Sequence, residues 1–168
     1  MTWNVADDEA VNLNSTTLTM ATSTPGRNQG FLTMSPKLPA SALTTMVALR
    51  LDDNRFEVAW VGDSRAYLWN GALRQLSSDH SYVQELIDQG AITPEQARTH
   101  PHRNVVTQAL GVTDPENLKV ETISGELRTG FQILLCSDGL TEEVNDATIA
   151  SLLAQAELSA QECVDHLV

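Results

Sequence analysis

The stretch from residue 55 to residue 76, RFEVAWVGDSRAYLWNGALRQL, decides the fold class. Two apolar runs, RFEVAWVG and RAYLW, are separated by a Gly-Asp-Ser turn, and a third run, ALRQL, follows Asn70-Gly71. Asn-Gly between apolar runs is the strongest short-range signal for a β-hairpin, because both residues tolerate positive φ. The run TTMVALRL and a turn at residues 52–54 precede this stretch. The pattern therefore predicts an antiparallel meander.

After residue 76 the apolar period changes from two residues to three or four, which predicts helices. Ser78, Asp79 and Ser81 are alternative N-caps of the first helix, and Ser81 has a glutamine three residues later, as in a capping box. Thr93, followed by a proline and again a glutamine at the third position, predicts a second short helix.

The remaining elements are two strands and two helices. NLKVETI and FQILLC have the composition of strands, and residues 146–153 and 159–167 have the period of amphipathic helices. Residues 1–40 are rich in Thr, Ser, Asn and Pro without a regular period, and we interpret them as a loose arm. Residues 41–168 then form one α+β domain in which helices cover an antiparallel sheet.

Composition and charge restrict the possible partners. Ten Lys and Arg residues against 22 Asp and Glu residues give a formal net charge of −12. This charge repels nucleic acid and anionic lipid surfaces, so neither is expected as a partner. No apolar run reaches 18 residues, and the first ten residues carry three acids and no base, unlike a signal peptide. We therefore expect a cytoplasmic protein without membrane association; the oligomeric state is left open.

The cysteines and two of the histidines are interpreted as structural residues. Cys136 and Cys163 are too few for a disulfide framework and lack the spacing of a metal motif, so both are expected to be reduced thiols. His80 and His166 are expected to be cap or surface residues.

Two aspartates carry the strongest chemical signal. Asp63 and Asp138 each follow an apolar strand, and each lies beside a glycine and a serine. If the sheet brings the two carboxylates together, their repulsion favours a divalent ion that prefers oxygen ligands, such as Mg²⁺ or Mn²⁺. Two alternatives stay open: an Asx turn in which Asp63 pairs with Arg65, and an N-cap role of Asp138 for a helix that starts near Leu140.

Three stretches extend this interpretation: FEVAWVGDSRAYLWNGALRQLSSDHS, GAITPEQARTHPHRNVVTQALG and ILLCSDGLTEEV. In this order and at these intervals they resemble the bacterial branch of the metal-dependent protein serine/threonine phosphatases, the protein phosphatase 2C-like family. The resemblance covers residues 41–168 and implies an αββα sandwich, two antiparallel sheets flanked by helices, here incomplete. Thr44-Thr45 matches the start of a core strand in that family, and residues from about 80 to 104 match a flap beside the active site.

The resemblance also implies a reaction and site residues. Relatives use two or three Mg²⁺ or Mn²⁺ ions to activate a water that hydrolyses phosphoserine and phosphothreonine in proteins, including substrates of kinase-linked signalling. Asp138 matches a ligand of the catalytic metal pair that also reaches towards a third ion, and Asp63 matches a ligand of that third ion. Candidates for contacts with metal-bound water or substrate are Gly139, Glu142, Arg103 and Asn104.

The sequence also departs from the family pattern. No Asn-Glu-Asp-type motif and no Asp-Gly-x-x-Gly motif occur before Ser41, and the Gly-x-Asp-Asn motif of the closing strand is absent. We therefore expect a domain truncated at both ends, and a chain that by itself is inactive or weakly active. The alternatives are a degenerate, non-catalytic module that binds a phosphoprotein or another partner, and an interaction domain in which both motifs are only turns.

Overall fold

The computed structural model describes residues 19–22 and 44–167. In that part of the chain, seven strands form two antiparallel sheets that are accompanied by five helices. The strands are β1 (Thr19–Thr22), β2 (Met46–Asp52), β3 (Arg55–Val61), β4 (Arg65–Trp69), β5 (Leu73–Gln75), β6 (Glu121–Glu126) and β7 (Gln132–Cys136). The helices are α1 (Tyr82–Asp88), α2 (Pro94–Arg98), α3 (Asp138–Glu143), α4 (Asp146–Leu153) and α5 (Ala160–Leu167).

The strands divide between the two sheets in a way that the meander prediction missed. One sheet has the order β1-β7-β4-β5 and the other has the order β2-β3-β6. The chain therefore crosses from one sheet to the other between β3 and β4, at Gly62–Ser64, and the prediction of a continuous meander is wrong there. β3 pairs with β6 and β4 pairs with β7, and these partners are distant in sequence. The α+β class and the two antiparallel sheets implied by the family resemblance are confirmed.

Both predicted hairpins are present. β2 and β3 are joined at a turn in which Asp53 has a φ of 50°. β4 and β5 are joined through Asn70-Gly71, where Gly71 has a φ of 101°, and Trp69 lies opposite Leu73. The turn residues therefore supply the left-handed backbone conformations that these tight connections require.

Two apolar cores hold the layers together. The first lies between the sheets, and the second lies between the outer face of the four-stranded sheet and helices α3, α4 and α5. Strand alternation explains the division, because successive residues of β4 and β7 point to opposite faces. Ala66 and Leu68 thus enter the first core, whereas Tyr67 enters the second.

The outer face of the three-stranded sheet is polar in the part that the structure describes. Arg50, Glu57 and Ser124 lie opposite one another in the register, and all three are exposed. Helices α3, α4 and α5 cover the sandwich on the side of the four-stranded sheet, so the αββα arrangement is incomplete among the described residues.

The helix caps largely follow the sequence. Thr93 and Gln96 form a closed capping box at α2, and Ser159 and Glu162 form one before α5. Ser81 caps α1 by accepting a hydrogen bond from the Gln84 backbone, but the Gln84 side chain donates to Asp88 and does not close the box.

Two boundaries differ from the predictions. β6 begins at Glu121 rather than at Asn117, because the backbone N–H groups of Asn117 and Leu118 both donate to the Asp114 carbonyl and form a turn. β1 lies inside the segment interpreted as a loose arm, where it pairs with the edge of β7. The other residues of the arm lie outside the described part of the chain. None of the described helices combines the length and apolarity needed to cross a bilayer.

Candidate metal centre

The register of the four-stranded sheet brings the two predicted aspartates to the same end. Arg65, the first residue of β4, lies opposite Cys136, the last residue of β7. Asp63 lies two residues before this pair and Asp138 lies two residues after it. Because β4 and β7 are antiparallel, the chain enters β4 and leaves β7 at the same end of the sheet. The two carboxylates therefore occupy adjacent loops at that end.

Gly62 shapes the crossing that carries Asp63. Its φ is 102°, a left-handed conformation that side chains rarely adopt, and a Cβ atom at this position would collide with the side chain of Thr45. Thr45 also joins the turn through a hydrogen bond between its Oγ1 and the Oγ of Ser64, at 3.0 Å. The start of β2 therefore packs directly against the turn, which a larger residue at position 62 would displace.

The electrostatic environment of Asp63 includes the charge of Asp138. The pKa of the Asp63 carboxyl is raised from its ordinary value of 3.8 to about 6, first because the group is largely buried and second because the Asp138 charge is close. Asp79 adds a smaller repulsion, whereas a backbone hydrogen bond and the Arg65 charge lower the pKa in part. Asp63 is thus a carboxylate whose charge is not fully compensated by the described residues.

Arg65 forms its ion pair with Asp79 and not with Asp63. The alternative in which Asp63 pairs with Arg65 in an Asx turn is therefore wrong about the partner. The Arg65 guanidinium holds Asp79 with two of its nitrogens, and the shortest distance is 2.6 Å from Nη2 to Oδ2. Gln75 donates a further hydrogen bond to Asp79. Asp79 therefore holds Arg65 in place. It does not cap α1, so the predicted alternative in which Asp79 is the N-cap is wrong.

Asp138 is the first residue of α3 and is exposed. Ser137 occupies the N-cap position without a side-chain hydrogen bond, so the predicted N-cap role of Asp138 is displaced by one residue. The Asp138 Oδ1 accepts a hydrogen bond from the Gly139 N–H at 2.9 Å, which leaves other lone pairs of the carboxylate available. Glu142 lies one helical turn further along α3 and is also exposed.

The loop residues predicted near the substrate belong to the predicted flap. Arg103 and Asn104 are exposed in the loop that follows α2. Arg103 is not among the charges that act on Asp63. The predicted flap is a pair of short helices whose base is closed by an antiparallel bridge between Ser81 and Val106.

Two residues of the site neighbourhood were missed in the sequence. Asp79 and His80 lie between β5 and α1, where the local sequence has only the pattern of a helix cap. His80 is only 8% exposed, so its assignment as a cap or surface residue is wrong. The sequence signal that could have identified both residues is the stretch SSDHS. This stretch belongs to the family resemblance, but it has no distinctive periodicity.

Cys136 also lies close to the site, two residues before Asp138. Burial raises the pKa of its thiol to about 12, so the group stays protonated and is a poor nucleophile. Both cysteines are free and buried, as predicted.

The donor set suits part of a divalent-cation site. Mg²⁺ is commonly bound through one or two carboxylates with water in the other positions, and the uncompensated charge on Asp63 and Asp138 fits that chemistry. No group of three or more His, Cys, Asp or Glu side chains within residues 19–22 and 44–167 could hold a metal ion together. The described residues therefore supply a pair of candidate ligands and not a complete two-metal cage.

Comparisons with known proteins identify the family of the chain. The family model for Protein phosphatase 2C matches residues 27–165. The serine/threonine protein phosphatase PstP of Mycobacterium tuberculosis is 41% identical to the chain over 127 residues, which are 75% of this chain and 24% of that protein. The structure of the serine/threonine phosphatase Stp1 from Staphylococcus aureus is 38% identical with a TM-score of 0.68, and the match covers 74% of this chain and 48% of Stp1.

A structure of PstP was solved with metal. The structure of the catalytic domain of PstP in complex with two manganese ions is 36% identical with a TM-score of 0.63, over 74% of this chain and 50% of that domain. The chain thus spans between about a quarter and a half of the length of these relatives. The family model covers most of the chain and these relatives share well over 30% identity, so the chain belongs to the protein phosphatase 2C family.

Proposed function

We propose that this chain forms part of a metal-dependent protein serine/threonine phosphatase. The observation that carries the proposal is the position of Asp63 and Asp138 in adjacent loops at one end of the four-stranded sheet, where the Asp138 charge raises the pKa of Asp63. The names of the relatives support the reaction, and the manganese ions in the catalytic domain of PstP support Mg²⁺ or Mn²⁺ as the metal. Because the relatives carry phosphatase names, the non-catalytic binding module is not favoured.

Each aspartate has a distinct proposed role. Asp138 is exposed at the start of α3, and it is the metal ligand that faces solvent and substrate. Asp63 is more buried, and a bound cation would stabilise the ionised form that burial and the Asp138 charge disfavour. A bound divalent ion supplies an activated water for attack on a phosphate ester. Glu142 and Gly139 remain candidates for contacts with metal-bound water, and Arg103 and Asn104 for contacts with the phosphoprotein.

The proposed substrates are proteins phosphorylated on serine or threonine, including targets of kinase-linked signalling. The proposed compartment is the cytoplasm, which suits two free, buried cysteines. The 168-residue chain alone is proposed to be weakly active or inactive, because it lacks the Asp-Gly-x-x-Gly motif whose aspartate bridges the metal pair in relatives.

Calorimetric titration with Mn²⁺ tests this function, together with hydrolysis of p-nitrophenyl phosphate and of a phosphothreonine peptide with and without EDTA. We expect weak Mn²⁺ binding that Asp138→Asn and Asp63→Asn each reduce, and little or no hydrolysis. Glu157→Gln is the control, because it removes one exposed carboxylate from the loop between α4 and α5.

The outcomes separate the parts of the proposal. Mn²⁺ binding that survives both aspartate substitutions would overturn the assigned metal ligands. Rapid hydrolysis that Asp138→Asn abolishes would support the phosphatase assignment but contradict the weak activity of the isolated chain.

A further inference from the structure

His80 occupies an unusual place between the predicted flap and the crossing that carries Asp63. Its backbone N–H donates to the Gly62 carbonyl at 2.9 Å, and its ring Nδ1 accepts from the Gly62 N–H at 3.1 Å. Both polar groups of the Gly62 backbone are therefore bound by one residue. On the other side, the His80 carbonyl accepts from the Thr107 N–H at 2.8 Å, at the base of the flap.

The segment around His80 is hydrogen-bonded to the strands on both sides of the crossing. Its neighbours bind the strands on either side of the crossing: the Trp60 indole N–H donates to the Ser78 carbonyl at 2.8 Å, and the Ala66 N–H donates to the Ser77 Oγ at 3.0 Å. His80 is the member of this segment that contacts the crossing itself. Asp63, the next residue after Gly62, thus receives its position from a backbone that His80 holds.

The state of the imidazole follows from its contacts. Because Nδ1 accepts a hydrogen bond, the ring proton resides on Nε2. This buried Nε2 has no hydrogen-bond partner among the described residues, and the nearest carboxylate, Glu121, has its Oε1 3.6 Å away. An unpaired buried N–H is unfavourable, and an apolar side chain of similar size would avoid it. The acceptor at Nδ1 is therefore the feature of His80 that this part of the fold uses.

We propose that His80 is a positioning residue, which fixes the Gly62–Ser64 crossing through Nδ1 and its own backbone N–H and thereby sets the place of the Asp63 carboxylate. The residue acts through Gly62 and touches neither metal nor substrate. The link to metal binding rests on the proposed function, whereas the link between His80 and the crossing does not.

Nuclear magnetic resonance of the metal-free, ¹⁵N-labelled 168-residue chain tests the first link. In the wild type we expect a coupling across the hydrogen bond between the Gly62 nitrogen and Nδ1, together with the tautomer protonated on Nε2. His80→Leu should accelerate exchange of the Gly62 amide about tenfold or more, while amides of the second core, such as Ile149, keep their protection. His80→Asn, which retains an acceptor close to Nδ1, should restore most of the protection.

The expected results have clear opposites. Absence of the coupling in the wild type, or equal Gly62 exchange in the wild type and the Leu variant, would overturn the proposal. If His80→Leu does not fold, the wild-type coupling and the Asn variant still decide. A folded wild type in which the Gly62 amide exchanges rapidly and shows no coupling to Nδ1 would contradict the role.

A double-mutant cycle with Mn²⁺ tests the second link. If His80 acts through Asp63, His80→Leu should weaken Mn²⁺ binding severalfold in the wild type but not further in the Asp63→Asn background. An equal loss in both backgrounds would show that His80 does not act through Asp63. If the wild-type chain binds no Mn²⁺, the proposed function fails for this chain, while the exchange experiment still decides the structural role of His80.

Discussion

Replacement of Asp63 by asparagine should stabilise the metal-free chain at neutral pH. The pKa of Asp63 rises from 3.8 to about 6 on folding, because the carboxyl is largely buried and faces the charge of Asp138. In full, this rise corresponds to about 3 kcal/mol of unfavourable free energy for the ionised group. Partial exposure screens the interaction, so we expect Asp63→Asn to raise the free energy of unfolding by about 1–2 kcal/mol.

The pH dependence identifies the cause. Between about pH 4 and pH 6 the folded chain binds more protons at Asp63 than the unfolded chain does, so stability falls as pH rises through this window. Above the window the full unfavourable contribution is present, and below it the carboxyl is protonated in both states. Asp63→Asn should therefore stabilise the chain at about pH 7.5 and have little effect at about pH 3.5.

Urea denaturation followed by tryptophan fluorescence, with EDTA present, measures the effect at both pH values. The gain corresponds to a rise in Tm of roughly 3–6 °C for a chain of this size. Glu157→Gln is the matched control and should change stability little at either pH. A destabilised Asp63→Asn variant at neutral pH, or an equal gain at acid pH, would refute the electrostatic account. Excess Mn²⁺ should reverse the difference, since the ion stabilises the form that binds it.

Two further substitutions test the framework around the site. Gly62→Ala should destabilise the chain by about 3 kcal/mol or more, because a Cβ atom there collides with the side chain of Thr45. Gly71→Ala should cost only about 1–2 kcal/mol, because Gly71 has a similar φ but lies in open space. Asp79→Asn should cost about 2 kcal/mol by weakening the half-buried pair with Arg65, whereas Asp52→Asn removes an exposed pair at 3.8 Å and should cost less than about 0.5 kcal/mol. Thermal denaturation of the four variants checks both comparisons, and equal effects within either pair would contradict the assigned cause.

Local pattern was sufficient for six of the seven described strands, for the hairpins and for most of the caps, whereas β1 was not predicted. The Asn70-Gly71 turn and the capping box at Thr93 were predictable because each depends on residues that are neighbours along the chain. The acidic pair was also visible as two aspartates at strand ends, and the motif order indicated the family.

The sequence by itself thus determined the elements and the residues of chemical interest, whereas only the tertiary structure decided their arrangement. The crossing at Gly62–Ser64, the partner of Arg65 and the burial of His80 depend on segments that meet only after the sheets form. Period and propensity describe one stretch at a time, and they contain no information about which distant strand supplies the missing backbone partners. The proximity of Asp63 to Asp138 is therefore a consequence of the register between β4 and β7.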